Sequence, residues 1–60
     1  SRLRANFLKE FASVPAPMRD EIIAVVDGQP FTWASAYLEV SNDTELGNKI
    51  LKTLNLLKIL

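Results

Sequence analysis

The apolar positions of this chain change their spacing along its length, and each spacing predicts a different element. In RLRANFLKEFA (residues 2–12), Leu3, Phe7 and Phe11 recur every four residues and Leu8 widens the stripe. Arg4, Asn6, Lys9 and Glu10 fall elsewhere. Apolar residues four apart share one face of an α-helix, so this spacing predicts a helix, with Ser1 placed to act as its N-cap. Val14-Pro15-Ala16-Pro17 ends it, because each proline pushes the residue before it out of helical geometry.

From Glu21 to Val40 the chain reads EIIAVVDGQPFTWASAYLEV. Runs of β-branched and aromatic residues flank Asp27-Gly28, a dipeptide suited to a tight reversal, and the pattern predicts a β-hairpin over about 21–40. Ile22–Val26 would be the first strand and 31–40 the return strand. A four-residue loop, Asp27 to Pro30, is preferred because it keeps Pro30, which has no N–H to donate, out of the ladder. A two-residue loop gives the same faces. Ile22, Ala24 and Val26 then lie with Phe31, Trp33, Ser35 and Tyr37, and Ile23 and Val25 lie with Ala34, Ala36, Leu38 and Val40. A bulge would swap them. The rival reading starts a helix at Pro17 and ends it at Gly28, with a further helical turn capped by Thr32. Helices over 17–27 and 32–41 would make the chain a small three- or four-helix bundle. Four β-branched residues in the five positions Ile22–Val26 favour the strand.

Beyond Ser41 the helical spacing returns. Asn42 is the expected N-cap of a helix over about 43–58, with Glu45 near its positive end. Leu46, Ile50, Leu54 and Leu57 form its stripe, with Leu51 at the edge, and Asn48, Lys49 and Lys52 lie on the far side. Gly47 sits beside the stripe, where Gly costs about 1 kcal/mol relative to Ala. It implies either close approach to the sheet or simple tolerance near the helix start. Leu56 and Ile59 fall off the stripe, and Leu60 follows them. The expected fold is α+β, helix–hairpin–helix, as one small domain over residues 1–60.

Composition sharpens this picture. Sixty residues bury only about 60% of their unfolded surface, so stability is expected to be marginal without a staple. The chain has no Cys and no His, which removes disulfides, nearly all transition-metal sites and Cys- or His-based catalysis. Oligomerisation or a dense core remains, and a hydrophobic content of 48% suits both. Seven basic and seven acidic residues cancel, with a pI near 6.1, so a nucleic-acid binder is disfavoured. The longest uncharged run, Gly28 to Leu38, is too short for a bilayer, and no targeting segment is visible. A soluble, cytoplasmic protein is expected, with no membrane partner.

No catalytic constellation emerges. Asp20, Glu21, Asp27, Glu39, Asp43 and Glu45 fall mostly at turns or caps, where acidic residues are ordinary. Nothing in the spacing selects Ser35 or Ser41 to work with Lys49. Gly28 and Gly47 are isolated and make no phosphate loop. The expectation is a non-enzyme without metal or cofactor. Phe31, Trp33 and Tyr37 suit a stacking platform for single-stranded nucleic acid, but a chain this small can seldom spare its large anchors from the core. Counting faces is more informative. Both sides of the expected hairpin are apolar, which calls for cover on both. This points to a protein-interaction or homo-oligomerisation module, most simply a two-fold dimer. Its expected interface is Ile23, Val25, Ala34, Ala36, Leu38 and Val40, with Leu56, Ile59 and Leu60 at the tail. The alternative is a nucleic-acid-associated protein that binds phosphate through Arg2, Arg4, Lys49 and Lys52.

Overall fold

The computed structural model describes residues 2–60, so the capping role expected of Ser1 lies outside the described residues. In chain order the elements are α1 (Arg2–Ser13), a 3₁₀ turn (Ala16–Met18), β1 (Ile22–Val26), β2 (Gln29–Thr32), α2 (Trp33–Ser41) and α3 (Glu45–Leu56). The α+β class and the order helix, hairpin, helix hold, with one helix more than expected. The helix proposed as a rival over 17–27 does not form, whereas a helix does follow Thr32.

The expected hairpin is corrected in three respects. Its loop is the two-residue one, Asp27-Gly28, with Val26 opposite Gln29. Both loop residues have positive φ, 53° and 74°, the signature of the type I′ turn whose twist matches that of paired strands. Pro30 then faces Val25. Hydrogen-bonded and non-hydrogen-bonded pairs alternate in an antiparallel ladder, and a two-residue turn closes on a bonded pair. Pro30 therefore falls where no N–H is required, and its presence does not argue for a longer loop.

The second correction is a bulge. Ile22 pairs with Thr32 and Ala24 with Phe31, which leaves Ile23 as the extra residue. The insertion turns Ile22 outward, 63% exposed, while Ile23 packs partly against the core. Ala24, Val26 and Phe31 face inward and are buried, and Val25 is 63% exposed on the outer side.

The third is the return strand, which ends at Thr32 instead of Val40. Thr32 is extended (φ −91°, ψ 172°), the geometry of an N-cap. Its Oγ1 accepts from the Ser35 N–H at 3.0 Å, and Ser35 Oγ accepts from the Thr32 N–H at 2.9 Å. This reciprocal box satisfies two donors that a helix start would otherwise strand. The Ala34 N–H finds the Arg19 carbonyl at 3.1 Å. Ala, Tyr, Leu and Glu then continue as a helix whose Ala36 and Val40 lie in the core, 0% and 1% exposed.

α2 ends at Asn42, and Asp43 takes the left-handed conformation (φ 55°). The Asp43 N–H donates to the Val40 carbonyl at 3.1 Å and the Thr44 N–H to the Glu39 carbonyl at 3.2 Å, a Schellman closure. Thr44, not Asn42, is the N-cap of α3. Its Oγ1 accepts from the Gly47 N–H at 2.9 Å and donates to Glu39 Oε1 at 2.8 Å. One short turn thus finishes a helix and starts the next. Gly47 is there for close approach, to α2 and not to the sheet. A Cβ built on it would stand 2.6 Å from the Glu39 carbonyl oxygen and 3.1 Å from Val40 Cα.

The core is Phe7, Ala24, Val26, Phe31, Ala36, Val40, Ile50, Leu51 and Leu54, all nonpolar. α3 packs beneath β1, and α1 closes the other side of the helical layer through Phe7. The accessible surface of 4006 Å² compares with roughly 9,700 Å² for an unfolded chain of this mass, so about 60% is buried. At its carboxyl end α3 closes with a second Schellman motif. Lys58 is left-handed (φ 63°), its N–H donates to the Asn55 carbonyl at 3.1 Å, and the Ile59 N–H donates to the Leu54 carbonyl at 3.0 Å.

Two stability predictions follow from these contacts. Gly47→Ala should lower the unfolding free energy by about 1–2 kcal/mol, because overpacking against rigid backbone outweighs the gain in helix propensity. The readout is the urea midpoint at constant m-value. Lys58→Gly should raise stability by about 0.5 kcal/mol, since glycine adopts the left-handed conformation without a Cβ penalty. A thermal melt that moves the other way would contradict that account.

Candidate functional site

No concentration of chemistry forms in this fold. Among the described residues, no group of three or more His, Cys, Asp or Glu is placed to hold a metal ion. No buried side-chain polar atom lacks a partner among them. Ser35 is committed to the cap of α2, and the Ser41 Oγ donates to the Leu38 carbonyl at 3.3 Å. Lys49 is engaged elsewhere, with its Nζ 3.0 Å from Asp27 Oδ2. That hydrogen bond and the Asp27 charge hold the Lys49 pKa above its ordinary value. Because its folded pKa is raised, the contact contributes in full below the ordinary lysine value and is lost as pH rises through the higher folded one. Both partners are exposed, so salt screens the pair. An open groove of about 320 Å³ is lined by Leu3, Asn48, Leu51 and Lys52, a set without an acid–base or nucleophile pair.

The cations expected to bind phosphate are divided between solvent and structure. Arg2 and Lys52 are exposed. Arg4 Nε donates to the Val40 carbonyl at 3.3 Å and Nη2 to the Ser41 carbonyl at 3.4 Å. It therefore caps the negative end of α2, binding α1 to it. Lys49 ties the hairpin tip to α3 through Asp27.

Four aromatic residues form a ladder that runs from the buried Phe7 outward to the exposed Tyr37. Phe31 is 2% exposed. Phe7 lies against Trp33 (centroids 5.6 Å apart) and Phe11, and Phe11 stacks on Tyr37 at 4.4 Å. The Arg19 guanidinium sits 4.5 Å from the Phe11 ring centroid and donates from Nε to the Val14 carbonyl at 3.2 Å. This cation–π contact pins the linker after α1 over the aromatic layer. Tyr37, at the rim, is 37% exposed.

Several large apolar side chains remain at the surface. The residues expected to form an interface separate into three groups. Ala36 and Val40 are core, and the plain sheet face to which they were assigned does not exist, because 33–41 is a helix. Ile23, Ala34 and Leu60 are half-buried, and Ile23 and Leu60 pack against the core of their own chain. Val25, Leu38, Leu56 and Ile59 are exposed, at 63%, 61%, 79% and 38%. Sequence reasoning missed Ile22, which the bulge turns onto the outer face beside Val25 and Pro30. It also missed Met18 and Leu57, which are exposed as well. Only the possibility of a bulge signalled the change at Ile22.

The helices cover the inner face of the hairpin, the side of Ala24, Val26 and Phe31. The outer face, where Ile22, Val25 and Pro30 are exposed, has no cover among the described residues. An uncharged, half-bare sheet is the unusual feature of this molecule, since an exposed antiparallel face is ordinarily polar. If Arg4 serves the structure, Arg4→Met should lower stability by about 1 kcal/mol while Arg2→Met changes it little, as read from thermal unfolding. Comparison with protein-family models, with curated proteins and with solved structures finds no match to this chain.

Proposed function

We propose that this protein is a non-catalytic interaction module whose working surface is the outer face of its hairpin, and that its simplest partner is a second copy of itself. The observation that supports this reading is the pair Ile22 and Val25, each 63% exposed beside Pro30 on a sheet face without a charged residue. Leu38, and Leu56, Leu57 and Ile59 near the end of the chain, add further exposed apolar surface. Burying a large aliphatic side chain releases about 1.5–3 kcal/mol, so even a few such residues reward association. The formal net charge of zero sets up no long-range repulsion between copies.

Light scattering coupled to size exclusion provides the test. The mass should rise from monomer to dimer as concentration increases into the high micromolar range. A strict monomer across that range, with no protein partner recovered, would sink the proposal.

A further inference from the structure

We propose that self-association proceeds through the open edge of β1, which pairs antiparallel with β1 of a second copy across a two-fold axis, and that the fold stops the assembly at two. This rests on the self-association reading and adds the stoichiometry. It moves the main-chain contact to the edge that borders the outer face, where the Ile22 and Val25 side chains flank it.

The two edges of the hairpin are not equivalent. The turn makes Val26 and Gln29 a bonded pair, so alternation leaves Val25 and Pro30 with their main-chain groups directed outward. On β2 that outward position is proline, which has no N–H. The N–H groups of Gln29 and Phe31 face β1 by the same alternation, and that of Thr32 is held by Ser35 Oγ at 2.9 Å. β2 therefore offers no free donor, and the chain leaves the sheet for α2 at Trp33. On β1 the N–H and C=O of Val25 face outward, and the extra residue Ile23 has no cross-strand partner. Ile22–Val26 carries neither charge nor proline, the usual guards of an edge, and its bulge lies at the start of the strand, away from Val25.

A second copy fits this edge because a two-fold axis within Ile22–Val26 presents the same uncharged row of donors and acceptors in antiparallel sense. The outward Ile22 and Val25 side chains of both copies then become neighbours on one four-stranded sheet. Each copy has one open edge and pairing consumes it, so the contact closes instead of propagating. The area sets the strength. A standard interface covers about 800 Å² per partner, roughly a fifth of the 4006 Å² surface. A five-residue edge with two flanking side chains covers less, which makes a weak dimer that dissociates on dilution.

Hydrogen exchange measured beside sedimentation tests this without altering the chain. The Val25 amide should exchange more slowly as the dimer forms, with no species larger than the dimer. Val25→Lys should weaken association about tenfold or more at unchanged helicity and melting temperature. Pro30→Thr gives β2 an outward donor and should add species beyond the dimer. A dimer with unprotected Val25, broken by Leu38→Lys or Leu56→Lys and not by Val25→Lys, would overturn the edge while leaving self-association intact. A Pro30→Thr protein that halts at the dimer would overturn the proposed block on β2. A chain monomeric at every concentration would overturn self-association and the edge together.

Discussion

The architecture depends on the change from strand to helix at Thr32. A strand that continued to Val40 would leave half of its length without a covering layer. The chain instead turns inward as soon as Phe31 has entered the core, with Thr32 as both the last extended residue and the first helical cap. The reciprocal bonds with Ser35 make that turn possible without stranding donors. Once α2 starts there, Ala36 and Val40 reach the interior, Trp33 meets Phe7, and α3 is returned along α2. The same bonds close one edge of the sheet.

Helix ends, not buried polar networks, supply the remaining specificity. Among the described residues the core contains no polar side chain, so no buried side-chain hydrogen bond sets the register of its layers. Orientation comes from the rim. Arg4 reaches across to the last carbonyls of α2, Glu39 receives the N–H and hydroxyl of Thr44, and Gly47 lets α3 lie against the α2 backbone. Each is a directional contact between backbone and a neighbouring element, and each fails if the elements slide by one residue.

The first and last helices, the first strand and the reversal at Asp27-Gly28 were legible because each has a local cause in periodicity, β-branching or turn chemistry. Of the aromatic residues expected in the core from their size, Phe31 is buried, Trp33 is half-buried and Tyr37 stays exposed at the rim. Three things were not legible. Pro30 pointed to a longer loop because its tolerance depends on ladder alternation, which is a property of the pair of strands. The bulge at Ile23 reassigns Ile22, and no residue type marks it. Trp33–Ser41 carries two aromatic residues and a valine that suit a strand, and the Thr32–Ser35 cap outweighed them. With that segment Ala36 and Val40 left the expected surface for the core and Ala34 became half-buried, while Leu38 stayed exposed. Asn42 looked like a helix start because the end of α2 had been read as strand, and the residues that close one helix resemble those that open another.

The left-handed residue at Asp43 has a consequence for how the molecule tolerates sequence change. Because the closure of α2 and the cap of α3 share consecutive residues, the connection has no slack. Adding one residue there would rotate α3 by about 100° about its own axis and move Ile50, Leu51 and Leu54 off the core side. The linker between α1 and β1 is tied down as well, because Arg19 bonds the Val14 carbonyl and its own carbonyl receives the Ala34 N–H. With both connections held this way, the fold accepts exchanged residues more readily than added or lost ones.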